Sequence, residues 1–207
     1  MSNGFEAVLM EEELPLRPAA EDPLGALAVR VLDGDTEAFG ALLTRTQPRL
    51  LGLAWRILGD RDLAQDAAQE TYLRIFRSLG SYRPGEPFEA WMVRITVNVC
   101  YDLVRKRGPL PLPPEVLEGL GADPSTHETE EAVLLRQRRD LLHRALAGLP
   151  QAERAALVLR DLEGFSTEET ARILGVRPVT VRSQAASARV KLAAACARLM
   201  NPKGGRP

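Results

Sequence analysis

Residues 165–192 read FSTEETARILGVRPVTVRSQAASARVKL, and this stretch leaves the chain few ways to fold. It describes a helix, a tight turn and a second helix. Ser166 or Thr167 can cap the first helix, and Glu168 and Glu169 fall in its first turn, where negative charge suits the helix dipole. Gly175 suits a left-handed stop, and Pro178 suits the first turn of the helix that follows. Ala171, Gly175 and Val181 are spaced as the small, turn-permissive and apolar residues of a helix-turn-helix. Such a unit presents its second helix to the major groove of DNA. From Val176 to Pro207 the charged residues are Arg177, Arg182, Arg189, Lys191, Arg198, Lys203 and Arg206, with no acid among them. A helix carrying only positive charge suits a polyphosphate partner. The bland alternative is a solvated basic helix.

The rest of the chain also reads as helix. Ala, Leu, Arg and Glu are plentiful and aromatics few, which favours helix over sheet. Asp35 caps a predicted helix that buries Phe39, Leu42, Leu43, Leu50, Leu53, Ala54 and Ile57, kinks near Pro48 and stops at Gly59. A third helix spans about Arg61 to Leu79, with Leu63, Ala67, Thr71 and Phe76 inward. A fourth, about Phe88 to Arg107, buries Phe88, Trp91, Met92, Ile95, Val99 and Leu103. The expected architecture is all-α, with two small helical domains joined by a flexible linker. Residues 1–22 form a flexible acidic tail, 23–107 a four-helix bundle, and 108–131 a Pro- and Gly-rich linker. Residues 132–200 hold the helix-turn-helix domain, followed by a short flexible tail at 201–207. In the second domain the first helix includes Leu134, Leu135, Leu141, Leu142, Ala145 and Leu146, and Val181, Ala185, Ala188, Leu192 and Leu199 form the inward stripe of the last.

Charge and chemistry narrow the function. The net charge of −1 hides a polarised chain. Residues 1–22 carry Glu6, Glu11, Glu12, Glu13, Glu21 and Asp22 against Arg17, whereas basic residues gather at Arg105–Arg107 and in the C-terminal third. No apolar run approaches the roughly 18 residues of a membrane span, and the acidic N-terminus is unlike a signal peptide. Cys100 and Cys196 lack metal-ligand spacing and read as reduced core residues, with a disulfide or metal ligand as the alternative. No phosphate loop, nucleophile elbow or metal constellation is present, so no catalytic residue, metal or cofactor is expected. These points favour a cytoplasmic protein.

Two further surfaces stand out. Asp62, Asp66, Gln69 and Glu70 give the third helix an acidic, amide-bearing face, read equally as solvated or protein-docking. Asp66 and Glu70 lie one turn apart, yet no His or Cys accompanies them, so a paired-carboxylate site has little support. The fourth helix combines Trp91 and Tyr101 with Arg94, Asn98, Asp102, Arg105, Lys106 and Arg107. Aromatics among basic residues suit single-stranded DNA, and the loop residues Tyr82 and Arg83 extend that edge.

From Leu24 to Leu199 the chain resembles a bacterial extracytoplasmic-function sigma factor of the sigma-70 family, group IV. The likeness rests on DGDTEAFGALLTRTQPRLLGLAWRILGD, DLAQDAAQETYLRIFRSL, PFEAWMVRITVNVCYDLVRKRG and ALAGLPQAERAALVLRDLEGFSTEETARILGV, in that order around a linker. The resemblance implies that Asp62, Asp66, Gln69 and Glu70 dock on the clamp helices of the largest subunit of core RNA polymerase. It implies that Tyr82, Arg83, Arg94, Asn98, Asp102, Arg105 and Lys106 capture the melted −10 strand of promoter DNA. Arg177, Thr180, Arg182, Ser183, Ser187 and Arg189 then serve the −35 duplex, and an anti-sigma factor is an expected partner. Three departures stand out: Thr170 replaces a common aliphatic, Val179 stands where glycine is frequent, and Gln184–Ser187 replace more basic or bulky residues. The competing readings are a helix-turn-helix regulator without polymerase and a sigma-like decoy.

Overall fold

The computed structural model describes residues 22–107 and 130–200; the expected tails, except Asp22, and almost all of the expected linker lie outside the described residues. The N-terminal domain holds α1 (Pro23–Leu32), α2 (Thr36–Leu58), α3 (Arg61–Ser78) and α4 (Phe88–Arg107). The C-terminal domain holds α5 (Glu130–Ala147), α6 (Gln151–Leu157), α7 (Thr167–Leu174) and α8 (Pro178–Met200). No strand occurs among the described residues.

Local chemistry sets the helix ends. Side chains of Asp22, Asp35 and Asp60 accept hydrogen bonds from the backbone N–H groups of Gly25, Ala38 and Leu63, satisfying donors that helix geometry leaves unpaired. Asp22 also accepts from Phe88 N at 2.9 Å, tying the start of α1 to the start of α4. It therefore belongs to the folded bundle and not to the tail. Gly59 ends α2 in the left-handed region at φ +74°. Helix α2 runs without a break through Pro48. Helix α3 ends at Ser78 and a 3₁₀ turn, Leu79–Ser81, continues the chain, so the stop precedes Gly80.

Inside the bundle Leu42, Leu50, Ile75, Phe88 and Met92 are buried together. The inward stripe of α3 is Leu63, Ala64, Ala67, Ala68, Thr71 and Ile75. Phe76 lies about 100° beyond Ile75 around the helix and so points out. It is 63% exposed and meets Phe39 edge-on at 5.3 Å, which corrects its expected inward place. Leu134 and Leu135 on α5 and Leu199 near the end of α8 are likewise exposed, beyond the reach of the shared core. Trp91, Ile95 and Leu103 are only partly buried.

The two domains are not held apart. A second buried cluster takes Leu53, Ile57 and Val97 from the first domain and Leu146, Leu159 and Leu192 from the second. Cys100 and Cys196 are buried free thiols within it. Burial pushes the Cys100 thiol up to about 12, so it stays protonated and inert. Polar groups complete the contact. Arg154 donates to the carbonyl of Ile57 in α2 at 3.0 Å and to those of Ala147 and Leu149 behind α5 at 2.7 and 2.8 Å. Glu163 is paired with Arg49 at 3.2 Å and with Arg56 of α2, and its side chain is only 1% exposed. Trp55 stacks on His143 with ring centroids 3.4 Å apart.

Candidate nucleic-acid interface and docking face

The helix-turn-helix forms as its residue types dictate. Ser166 caps α7: its hydroxyl accepts from Glu169 N at 3.1 Å, and the Glu169 carboxylate accepts from Ser166 N at 2.9 Å. The Ser166 hydroxyl also donates to the Glu169 carboxylate at 2.7 Å, and this bond, with that from Ser166 N, holds the Glu169 carboxyl below its ordinary range. Gly175 turns the chain at φ +67°, and nothing fills the space where a Cβ would stand, so backbone conformation alone calls for glycine. Val181, Ala185, Ala188 and Leu192 bury one side of α8.

The outer side of α8 is less basic than its sequence suggests. Arg189 donates twice to Asp161, both at 2.7 Å, and Lys191 donates to Glu153 at 2.7 Å. Both acids come from the helical stretch before α7, 28 and 38 residues away, so a local reading of α8 could not pair them. The Asp161 hydrogen bonds raise the Arg189 pKa. Arg177, Arg182 and Ser183 are exposed, whereas Thr180 and Ser187 are half-buried.

On α4, Arg94, Asn98, Arg105 and Lys106 are exposed. Arg94, Asn98 and Arg105 follow helical spacing and make one edge. Asp102 sits on that edge as a clamp, with one oxygen accepting from Arg74 of α3 and the other from Arg105, both at 2.8 Å. Hydrogen bonds from Arg74 to Glu70 and Asp102 raise the Arg74 pKa. Arg83 is exposed. Tyr82 is not: its ring is 5% exposed, packs edge-on to Phe88 at 5.0 Å, and its hydroxyl donates to Glu86 O. Burial raises its pKa first, with Asp22 and Glu86 adding to the effect. The expected strand-facing Tyr82 is therefore a core residue that shapes the loop.

On α3, Asp62, Asp66 and Gln69 are exposed and Glu70 is half-buried against Arg74 at 2.8 Å. The same face continues through Leu73 and Phe76, 51% and 63% exposed. Positions 62, 66, 69, 73 and 76 alternate by four and three, the spacing of a coiled-coil seam. The sequence reading missed Leu73, although this spacing was there to be counted. Among the described residues, no three His, Cys, Asp or Glu side chains assemble as a metal site. No helix there is long and apolar enough to cross a membrane.

A helical bundle joined to a helix-turn-helix domain, with a polar edge on one and a duplex-shaped helix on the other, is the architecture of a transcription initiation factor. Residues 42–109 match the family described as sigma-70 region 2, and residues 139–192 match sigma-70, region 4. The ECF RNA polymerase sigma factor SigE of Mycolicibacterium smegmatis is 39% identical over 170 residues, covering 80% of this chain and 65% of that protein. The RNA polymerase sigma-H factor of Pseudomonas aeruginosa is 34% identical over 170 residues, covering 79% of this chain and 88% of its own. The chain belongs to the extracytoplasmic-function (ECF) sigma factors of RNA polymerase. Among solved structures, sigma factor RpoE in complex with the anti-sigma factor NepR from Bartonella quintana shares the fold. Its TM-score is 0.60 at 24% identity, covering 83% of this chain and 100% of that one. CnrH in complex with the cytosolic domain of CnrY gives a TM-score of 0.59 at 24% identity, covering 87% and 98%.

Proposed function

We propose that this sigma factor docks on the clamp helices of the largest polymerase subunit through the outer face of α3. The edge of α4 then captures the melted −10 strand, and α8 reads the −35 duplex. The observation that carries the reading is the exposed seam of Asp62, Asp66, Gln69, Leu73 and Phe76. Its four-three spacing fits a coiled coil, and its acids suit a basic partner. Arg83, Arg94, Asn98, Arg105 and Lys106 supply the single-strand surface, with Asp102 positioning Arg105 and Tyr82 holding the loop. Arg177, Arg182 and Ser183 face the duplex, and Thr180, Ser187 and Arg189 border it. The role is non-enzymatic and cytoplasmic. An anti-sigma factor is the expected controlling partner, a reading supported by solved relatives whose structures contain one.

Asp66→Arg tests the docking. Charge reversal at an interface replaces attraction with repulsion and can cost several kcal/mol. The variant should lose affinity for core polymerase in competition with the parent chain, while keeping its thermal stability. Unchanged affinity would overturn the assignment and favour a regulator that acts without polymerase.

A further inference from the structure

The exposed face of the first turns of α8 is apolar apart from one cation and one hydroxyl. Val179 is 55% exposed and Ala186 is exposed; Arg182 and Ser183 lie between them. Seven residues separate Val179 from Ala186, so they project on one face, with Arg182 and Ser183 to either side. Arg189 and Lys191, the two cations that follow, are turned aside onto Asp161 and Glu153. What remains for the groove is one guanidinium and the Ser183 hydroxyl, flanked by two aliphatic groups, with Gln184 half-buried beside them. In the major groove the thymine C5-methyl is the one apolar mark a base pair displays, and a guanidinium pairs best with guanine O6 and N7.

We propose that α8 reads its duplex through thymine methyl groups, Val179 and Ala186 each packing against one, with Arg182 on a guanine between them. This rests on the reading of α8 as the −35 helix. A rise of 1.5 Å per residue puts Val179 and Ala186 about 10 Å apart along the axis, which spans at most about three base pairs at 3.4 Å each. The element is then a guanine bracketed by thymines no more than about three base pairs apart. Few phosphates are neutralised: with Arg182 on a guanine, Arg177 is the exposed cation left for a phosphate near the start of α8. At about −0.9 per phosphate contact, the upstream contribution to the log–log salt slope is about −1.

The test uses the full chain bound to core polymerase and a pool of duplexes randomised over the upstream window. The enriched sequences should carry the guanine between two thymines. Replacing either thymine by deoxyuridine should weaken binding about fourfold, the worth of one buried methyl. Val179→Ala should remove the sensitivity at one thymine alone, and Ala186→Ser at the other. Both positions are exposed, so neither variant disturbs the fold. An enriched motif without thymines, or one indifferent to deoxyuridine, overturns the methyl reading and leaves duplex recognition by α8 standing. If no upstream motif is enriched and Arg182→Ala behaves as the parent chain, the −35 reading itself fails and takes this inference with it.

Discussion

Arg154 does the work of a cap for two helices at once. The last carbonyls of a helix have no partner within it and carry the negative end of its dipole. Arg154 places one guanidinium against Ile57 O at the end of α2 and against Ala147 O and Leu149 O behind α5. Desolvation lowers its pKa to about 10, which still leaves it charged at neutral pH. Gly59 makes room for it: a Cβ there would stand 3.1 Å from an Arg154 terminal nitrogen. Arg154→Met keeps the bulk and removes three donors, leaving carbonyls buried without partners. We expect a loss of about 3 kcal/mol, read as a lower urea midpoint. A loss under about 1 kcal/mol would mean that water replaces the guanidinium. Nothing in LPQAERAAL marks this arginine in the sequence, because its partners are helix ends brought together by the fold. Tyr82 was misjudged for a related reason. An aromatic in a Gly- and Pro-rich loop has no period to reveal whether it faces the core.

Helix boundaries were legible because their signals are local. Asp35 and Ser166 each cap a helix where a cap was expected, and Gly59 and Gly175 each turn the chain where a stop was expected. The inward stripe of α8 up to Leu192 follows its spacing too. Phe76 escaped because hydrophobicity alone made it inward, although the period of α3 had already been taken by Ile75. The charge of α8 escaped because Asp161 and Glu153 lie in another segment. The capping box of α7 gives a test at this scale. Ser166→Ala should destabilise the helix-turn-helix by about 1 kcal/mol, measured by thermal melting. It should also let the Glu169 carboxyl rise toward its ordinary pKa, which NMR titration would detect. If both quantities stay unchanged, the box is not holding α7.

The two domains melt and titrate as one body if the shared core and its polar contacts operate together. His143 of α5 is stacked on Trp55 of α2, and burial, with Arg56, Arg61 and Arg139 nearby, lowers its pKa to about 4. Its ordinary value is 6.5, so between pH 6.5 and 4 the unfolded chain binds a proton that the folded chain refuses. Stability is therefore full above pH 6.5, falls as the pH drops toward 4, and changes no further from this group below that. We expect His143 to account for about 3 kcal/mol of that loss. Thermal melts of His143→Gln should show a shallower decline across the same window; an identical decline would place the titration elsewhere. The wide helical turn at Val158–Leu162 has a consequence of its own. Glu163 N donates to Val158 O at 2.9 Å, five residues back, so this turn holds more residues than an α-helical one. With that spacing Asp161 meets α8 on one side and Glu163 meets α2 on the other. Chain length is thus a timing device: removing Arg160 would leave Glu163 four residues from Val158, an ordinary α-helical turn, keeping Glu163 on Arg49 and Arg56 while drawing Asp161, inside the turn, out of step with Arg189. A single-codon deletion there should release Arg189 without unbuckling the domains, and small-angle scattering would record an unchanged radius of gyration.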